Sequence, residues 1–185
     1  MKKILAFVLA GTMLLSLSAC GPKGTTFSIE CETWEGDDKA VAVEFTYPDE
    51  ASIVEEESAF CDKMLVDKEE NYELSFSITE DTTFPANKEY NSSKENYTEF
   101  KIGDHDAYAF SDFYQYHIYV LLENVSETTD RYAYIDIAEA EPSFEDGIEL
   151  KLYNEKEEIQ KIVNSLVYKG VIDVTPAPEA SEAAN

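Results

Sequence analysis

Basic residues are scarce in this sequence, and their shortage excludes one class of partner. The 185 residues include 14 lysines and arginines against 39 aspartates and glutamates, so the formal net charge is −25 at pH 7. Such a surface repels the phosphate backbone, and we therefore expect no nucleic acid partner. The charge is explained by solubility in a salty exterior, or alternatively by capture of cations or basic partners.

Enzyme signatures are also missing. The sequence contains no Gly-x-Ser-x-Gly, no His-Glu-x-x-His and no phosphate-binding loop. Its two histidines are His105 and His117. Paired carboxylates are so frequent in this chain that their presence does not distinguish a catalytic site from an ordinary acidic surface. We therefore predict that the protein is not an enzyme, with catalysis at an unrecognised site as the alternative.

The N-terminus carries an export segment. Lys2 and Lys3 precede the apolar stretch 4–17, which is too short for a comfortable transmembrane helix. The stretch ends in Leu17-Ser18-Ala19-Cys20. This run resembles the lipobox of bacterial lipoproteins, in which the cysteine thiol receives a diacylglycerol and cleavage occurs just before that cysteine.

The lipobox resemblance implies a location. Residues 1–19 would be the lipoprotein signal peptide, and residues 20–26 the lipidated Cys20 with a short tether. Two or more acyl chains make a stable anchor, so the domain is expected at the extracytoplasmic face of the cell membrane. Loss of Lys2 and Lys3 changes the formal charge from −25 to −27. The type of bacterial envelope stays open.

The two other cysteines, Cys31 and Cys61, allow a disulfide bridge. An exterior location is oxidising, which favours such a bridge. Two separate buried thiols are the alternative.

Alternating apolar residues predict strands in the first half of the domain. Residues 27–34 and 40–47 form a predicted hairpin. Residues 51–66 are ambiguous, because their apolar residues fit either a helical stripe or a strand at 60–66. We favour the strand, paired with residues 72–78.

The second half continues this pattern. Residues 97–102 and 107–110 are predicted strands joined by a tight turn at 103–106. Residues 116–122 are apolar on both faces, which is typical of a central strand covered on both sides. Residues 131–138 are its expected neighbour.

The C-terminal part shows helical spacing. Asn154 and Glu157 resemble a capping box, and Lys169-Gly170 suits a helix end. Between them the apolar residues recur at helical intervals: Ile159, Ile162, Val163, Leu166 and Val167. We expect a single α+β domain at 27–174, in which an antiparallel sheet of about six to eight strands packs against this C-terminal amphipathic helix. A disordered tail is predicted at 175–185.

Three short motifs resemble a known family. They are Phe45-Thr46-Tyr47-Pro48, the Gly103 hairpin that leads to Ala107, and Asn164-Ser165-Leu166 in the predicted helix. Their order is similar to that of the PsbP-like α/β/α sandwich over residues 27–170. Members of that fold are mostly accessory or binding proteins, so the resemblance implies a non-catalytic role.

Two local clusters are candidate sites. Asp104 and Asp106 flank His105, and their oxygen atoms suit a divalent cation such as calcium. The alternative is an ordinary turn, where aspartate is favoured for backbone reasons. Phe113 and Tyr114 belong to an aromatic-rich region and are the candidate partner surface, with core filling as the alternative.

These observations together predict a membrane-anchored lipoprotein. It would act as a non-catalytic binding or accessory module for an envelope protein or an extracellular ligand. The alternatives are a divalent-cation-binding surface lipoprotein and an envelope enzyme with an unrecognised site.

Overall fold

Strands dominate the computed structural model of this chain. Of the residues that it describes, 65% lie in strands and 15% in helices. The described residues are 24–32, 39–49, 53–56, 58, 61–112, 115–140 and 153–173. The predicted signal peptide, Cys20 and the predicted tail lie outside them. No helix within the described ranges is long and apolar enough to cross a membrane.

The secondary-structure elements are numbered here in chain order. They are β1 (Gly24–Glu32), β2 (Lys39–Pro48), β3 (Val54–Glu56), β4 (Lys63–Asp67), β5 (Tyr72–Thr82), α1 (Phe84–Asn91), β6 (Glu95–Ile102), β7 (His105–Asp112), β8 (Gln115–Asn124), β9 (Thr129–Ala138), α2 (Glu157–Asn164) and β10 (Val167–Asp173).

The strands form two antiparallel sheets. The smaller sheet has the order β1-β2-β10, and the larger has the order β3-β4-β5-β9-β8-β7-β6. Every pairing is antiparallel. The two sheets pack against each other, and the main hydrophobic core lies between them.

Strand β5 shows how the sequence builds this core. From Tyr72 to Ile78 every second side chain of β5 is buried in this core, namely Tyr72, Leu74, Phe76 and Ile78. Phe76 contacts Phe27 and Phe45 of the smaller sheet, with ring centroids 5.1 and 4.7 Å away. Burial of each such side chain stabilises the fold by about 1.5–3 kcal/mol, so these contacts hold the sheets together.

The first predicted hairpin is confirmed, although its first strand begins earlier. β1 pairs with β2, and it starts at Gly24 instead of Phe27. Gly24 lies opposite Pro48, where an added Cβ would be 2.4 Å from the carbonyl oxygen of Tyr47. Only glycine fits there without a backbone shift. Part of the stretch 20–26 that was assigned to the tether is therefore strand.

The described part of the ambiguous stretch 51–66 contains β3 and most of β4, with non-strand residues at 53, 58 and 61–62. β3 pairs with β4, and β4 pairs with β5, so the hairpin interpretation is confirmed and the helical one is wrong. In the turn between β4 and β5, Asp67 Oδ1 accepts the N–H groups of Glu69 and Glu70, both at 3.0 Å. Asn71 then takes a φ of 56°, a conformation that asparagine tolerates.

Two further pairings are confirmed. β6 and β7 form a hairpin whose two-residue turn is Gly103 and Asp104, and Gly103 has a φ of 58°. Glycine at this first turn position is what a type II′ turn needs. β8 lies between β7 and β9, and Ile135 and Ile137 of β9 are buried in the core as expected.

The predicted fold class is wrong. The α+β expectation required a long C-terminal helix beneath the sheet, but α2 is only eight residues long. Its first residue is Glu157 and its N-cap is Lys156, so Asn154 does not cap it. Residues 167–173 form β10 instead, and the two-sheet architecture contradicts the α/β/α sandwich implied by the PsbP-like resemblance.

The end of α2 and the position of β10 have a tertiary cause. The Thr46 N–H donates to Ser165 Oγ at 2.7 Å, and this hydroxyl donates to the Ile162 carbonyl at 2.6 Å. The chain is thereby tied to β2 where the helix ends. Beyond this point β10 pairs with the open edge of β2, which satisfies backbone groups that would otherwise lack partners.

A buried arginine secures β10 to the larger sheet. Arg131 is 6% exposed, and its Nη2 atom lies 2.6 Å from Glu80 Oε1. It also pairs with Glu123, which accepts a hydrogen bond from the Tyr168 hydroxyl of β10. Tyr168 therefore connects the two sheets at one end of the core.

Buried tyrosines predict a loss of stability at alkaline pH. Burial raises the pKa of Tyr116 and of Tyr119 to about 12, from 10.0. The unfolded chain loses these protons first, so stability is fully present below pH 10 and falls as the pH rises towards 12. Each tyrosine should account for on the order of 2 kcal/mol, measured by urea denaturation between pH 8 and 12.

The variant Tyr119→Phe is the control for this prediction, because phenylalanine has no proton to lose. Its alkaline loss should be smaller than that of the unchanged protein. A free energy of unfolding that stays constant up to pH 12 would contradict the prediction.

Candidate functional site

The larger sheet has a face that points away from the smaller sheet, and we call it the outer face. Its side chains alternate with core side chains along each strand. It includes Ser75, Ser77 and Thr79 of β5, Tyr132, Tyr134 and Asp136 of β9, His117 and Tyr119 of β8, and Tyr108 and Phe110 of β7.

The strand register arranges these side chains in rows. The first row, from β5 to β7, is Ser75, Asp136, His117 and Phe110. The second row is Ser77, Tyr134, Tyr119 and Tyr108. Each row therefore runs from a small hydroxyl side chain to large aromatic rings.

Helix α1 covers one part of the outer face. Phe84 at its start packs on Tyr108 and Tyr132, with ring centroids 5.7 and 6.3 Å away. The Phe84 N–H donates to the buried Asp130 carboxylate at 2.6 Å. Asn91 near its end donates to the Tyr108 hydroxyl at 3.3 Å. This part of the outer face is a second closed core.

The part of the outer face along β5 contains a cavity of about 500 Å³, which we call the outer-face cavity. Its size is in the range of ordinary ligand pockets. Small side chains on β5 beside a large tyrosine on β9 create the depression. The lining residues are Cys61, Asp62, Ser75, Ser77, Ile78, Thr79, Gln115, Tyr134 and Asp136.

Asp136 is held in position by a half-buried network. His117 Nδ1 lies 2.5 Å from Asp136 Oδ1, and the Tyr134 hydroxyl lies 2.7 Å from the same Nδ1. A carboxylate oxygen accepts a hydrogen bond, so in this contact His117 donates through its Nδ1–H group. His117 is 9% exposed and also packs against Phe110, at 5.0 Å between ring centroids.

The tyrosine of this network stays protonated. Burial raises the pKa of the Tyr134 hydroxyl well above its usual value, and the charge of Asp136 raises it further. Tyr134 can therefore offer a hydroxyl group to a ligand, but no phenolate at neutral pH.

The second carboxylate of the cavity is also fixed. Asp62 Oδ2 accepts the Ile78 N–H at 2.9 Å, and the Asp62 N–H donates to the Phe76 carbonyl at 3.0 Å. Both bonds tie the segment before β4 to β5. Asp62 and Asp136 thus enter the cavity lining from separate elements, and each is already oriented by a hydrogen bond.

The predicted cation ligands lie elsewhere. Asp104 is exposed in the β6–β7 turn, whereas Asp106 belongs to β7 and pairs with Lys101 at 2.8 Å. The Lys101 ammonium lowers the pKa of Asp106. The described residues contain no group of three or more histidine, cysteine, aspartate or glutamate side chains suited to a metal ion. A cation at Asp104 and Asp106 stays a prediction.

The other predicted site residues have different outcomes. Cys31 and Cys61 are both thiols in this structure, so their bridge stays a prediction. Cys61 lines the outer-face cavity. Phe113 and Tyr114 lie outside the described residues, as does Cys20.

Sequence reasoning missed most of the cavity. Ser75 and Ser77 lie between buried residues of β5, and Asp136 lies between Ile135 and Ile137. Alternation identifies such positions as non-core, but it cannot show which neighbouring strand they face. The partnership of Asp136 with His117 depends on the pairing of β8 with β9.

Comparisons with known proteins give no function for this chain, so a function has to be inferred from the geometry of the site. No family model, no curated protein and no solved structure matches this chain.

Replacement of His117 should destabilise the outer face. His117→Phe keeps a ring of similar size but removes the donor to Asp136, leaving a half-buried carboxylate without this partner. We expect a loss of about 1–3 kcal/mol in the free energy of unfolding, measured by urea denaturation at pH 7.

His117→Gln is the matched variant, since its amide can still donate to Asp136. It should lose less stability than His117→Phe. Equal losses in the two variants would mean that ring packing, and not the hydrogen bond, is what His117 contributes.

Proposed function

We propose that this protein is a lipid-anchored, non-catalytic binding module that takes its ligand in the outer-face cavity. The cavity is the observation that carries the proposal. It combines a volume of about 500 Å³ with hydroxyl, amide and carboxylate groups that lie mostly on strands of the larger sheet, Asp62 being in the segment before β4. Sites on strands hold such groups more precisely than sites on loops.

The proposed anchor is Cys20 in its lipobox-like run. Three residues separate Cys20 from Gly24, the first residue of β1. A fully extended chain spans at most about 3.6 Å per residue, so this connection reaches roughly 14 Å. The binding domain would then lie directly at the extracytoplasmic membrane surface, and its ligand or partner would be an envelope protein or an extracellular molecule.

A non-catalytic role fits the chemistry of the cavity. Nδ1 of His117 is engaged with Asp136, and Tyr134 keeps its proton at neutral pH. The side chains therefore suit hydrogen bonding to a ligand. Phe113 and Tyr114 follow β7 and precede Gln115 of the cavity lining, so they remain our proposed contact for a larger partner.

Loss of the anchor tests the location. Cys20→Ser removes the thiol that would be acylated, so the variant should leave the membrane fraction of cells and lose incorporation of labelled fatty acid. Cys61→Ser is the control and should stay in the membrane fraction. A Cys20→Ser variant that remains membrane-bound and labelled would refute lipid anchoring at this residue.

Filling the cavity tests the binding site. In Ser77→Trp an indole ring should occupy the space beside Tyr134. We expect that photo-crosslinking on intact cells, read by mass spectrometry, loses the products seen with the unchanged protein.

Ser28→Trp is the matched control for this experiment. It places the same ring on an exposed position of β1 in the smaller sheet. Its crosslinked products should be unchanged. The same products from Ser77→Trp and from the unchanged protein would exclude the outer-face cavity as the binding site.

A further inference from the structure

The charge of the outer-face cavity has one sign. Asp62 and Asp136 contribute carboxylates, whereas the other polar lining groups are neutral: Ser75, Ser77, Thr79, Gln115, Tyr134 and the Cys61 thiol. No lysine or arginine lines the cavity among the residues that the structure describes. An anionic ligand would meet uncompensated repulsion there, and a cationic one attraction.

Basic residues close to the cavity in sequence or space have other partners. Lys63 follows Asp62, but its Nζ atom lies 2.6 Å from Glu55 and over the Phe27 ring on the core side. Lys94 lies 2.8 Å from Asp112 and over the Phe110 ring. Neither ammonium group is placed to neutralise Asp62 or Asp136.

Hydrogen bonds already orient the two carboxylates. Asp62 accepts from the Ile78 backbone N–H, and Asp136 accepts from His117 Nδ1. At Asp62 the hydrogen-bond partner is a backbone group and adds no positive charge. Ligand binding therefore does not require the carboxylates to be reoriented first, which lowers its entropic cost.

The hydroxyl lining distinguishes an organic cation from a metal ion. A divalent metal prefers several oxygen ligands around one point, and no group of three or more suitable side chains occurs among the described residues. The cavity is far larger than one ion, at about 500 Å³. Serine and threonine hydroxyls and the Gln115 amide can both donate and accept, as the hydroxyl groups of a polyol also can.

We propose that the outer-face cavity selects a small ligand that carries a protonated aliphatic amine together with hydroxyl groups. The carboxylates of Asp62 and Asp136 recognise the ammonium group. The hydroxyls of β5 and the Gln115 amide bind the polar remainder. This inference rests on the proposed binding role of the cavity and names the chemical class of its ligand.

The test uses two probes that differ in one group. Glucamine is an open-chain polyol with a primary amine, and sorbitol has a hydroxyl in that place. Each is titrated into the ¹⁵N-labelled mature chain, and amide shifts are followed by NMR. We expect glucamine to shift the amides of Ser75, Ser77 and Gln115 and to bind at least tenfold more tightly than sorbitol.

Two matched variants separate local recognition from overall charge. Asp62→Asn keeps the oxygen that accepts the Ile78 N–H but removes one negative charge from the cavity. Glu127→Gln removes the same charge from an exposed turn between β8 and β9. Glucamine affinity should fall at least tenfold in Asp62→Asn and stay within twofold in Glu127→Gln. Equal effects would overturn the proposal in favour of non-specific attraction to an acidic surface.

The outcomes also separate this inference from the proposed function. If sorbitol and glucamine bind equally, or if neither shifts the cavity amides, selection of an amine is refuted. The binding role of the cavity then stands if Ser77→Trp still removes the crosslinked products on cells. It fails only if that variant leaves those products unchanged.

Discussion

The aromatic contact of Phe76 with Phe27 and Phe45 is the constraint on which the architecture depends. It joins the two sheets through rings that are almost wholly inaccessible to water. Because Phe76 is on β5, its position fixes which face of that strand is the core. Strands alternate strictly, so Ser75 and Ser77 must then face the opposite way. The packing of Phe76 in the core therefore places its two sequence neighbours, Ser75 and Ser77, in the lining of the outer-face cavity.

The outer face shows how one sheet can serve stability and binding together. Near Tyr108 and Tyr132 its side chains are aromatic and α1 covers them, which makes that region a second core. On β5 the outer-face side chains are small and carry hydroxyl groups, and they line the outer-face cavity. His117 links the two regions, since it packs on Phe110 and hydrogen-bonds to Asp136 of the cavity lining. A rigid aromatic wall therefore supports the polar lining groups.

The hairpins were predictable because their information is local. The hydrophobic alternation that predicts a strand involves only residues that are close in sequence, as in β1, β2 and β5. The same holds for the glycine turn at Gly103. The C-terminal prediction failed for the opposite reason. Residues 154–170 have helical spacing, but residues 167–173 meet the open edge of β2, more than a hundred positions away in the chain. Backbone pairing at that edge, with the contacts of Ser165 and Tyr168, outweighs the local helical pattern.

The candidate site shows the same difference between what local sequence predicts and what contacts between distant segments decide. The sequence alone determined an acidic chain with a lipobox-like segment, the positions of most strands and which side chains of those strands face the core, since these follow from composition and period. Only the tertiary structure decided that Asp62, Ser77, Gln115 and Asp136 line one cavity. Those residues come from separate strands and loops. Their proximity is set by strand order and register, which depend on packing between distant segments and leave no local signal in the sequence.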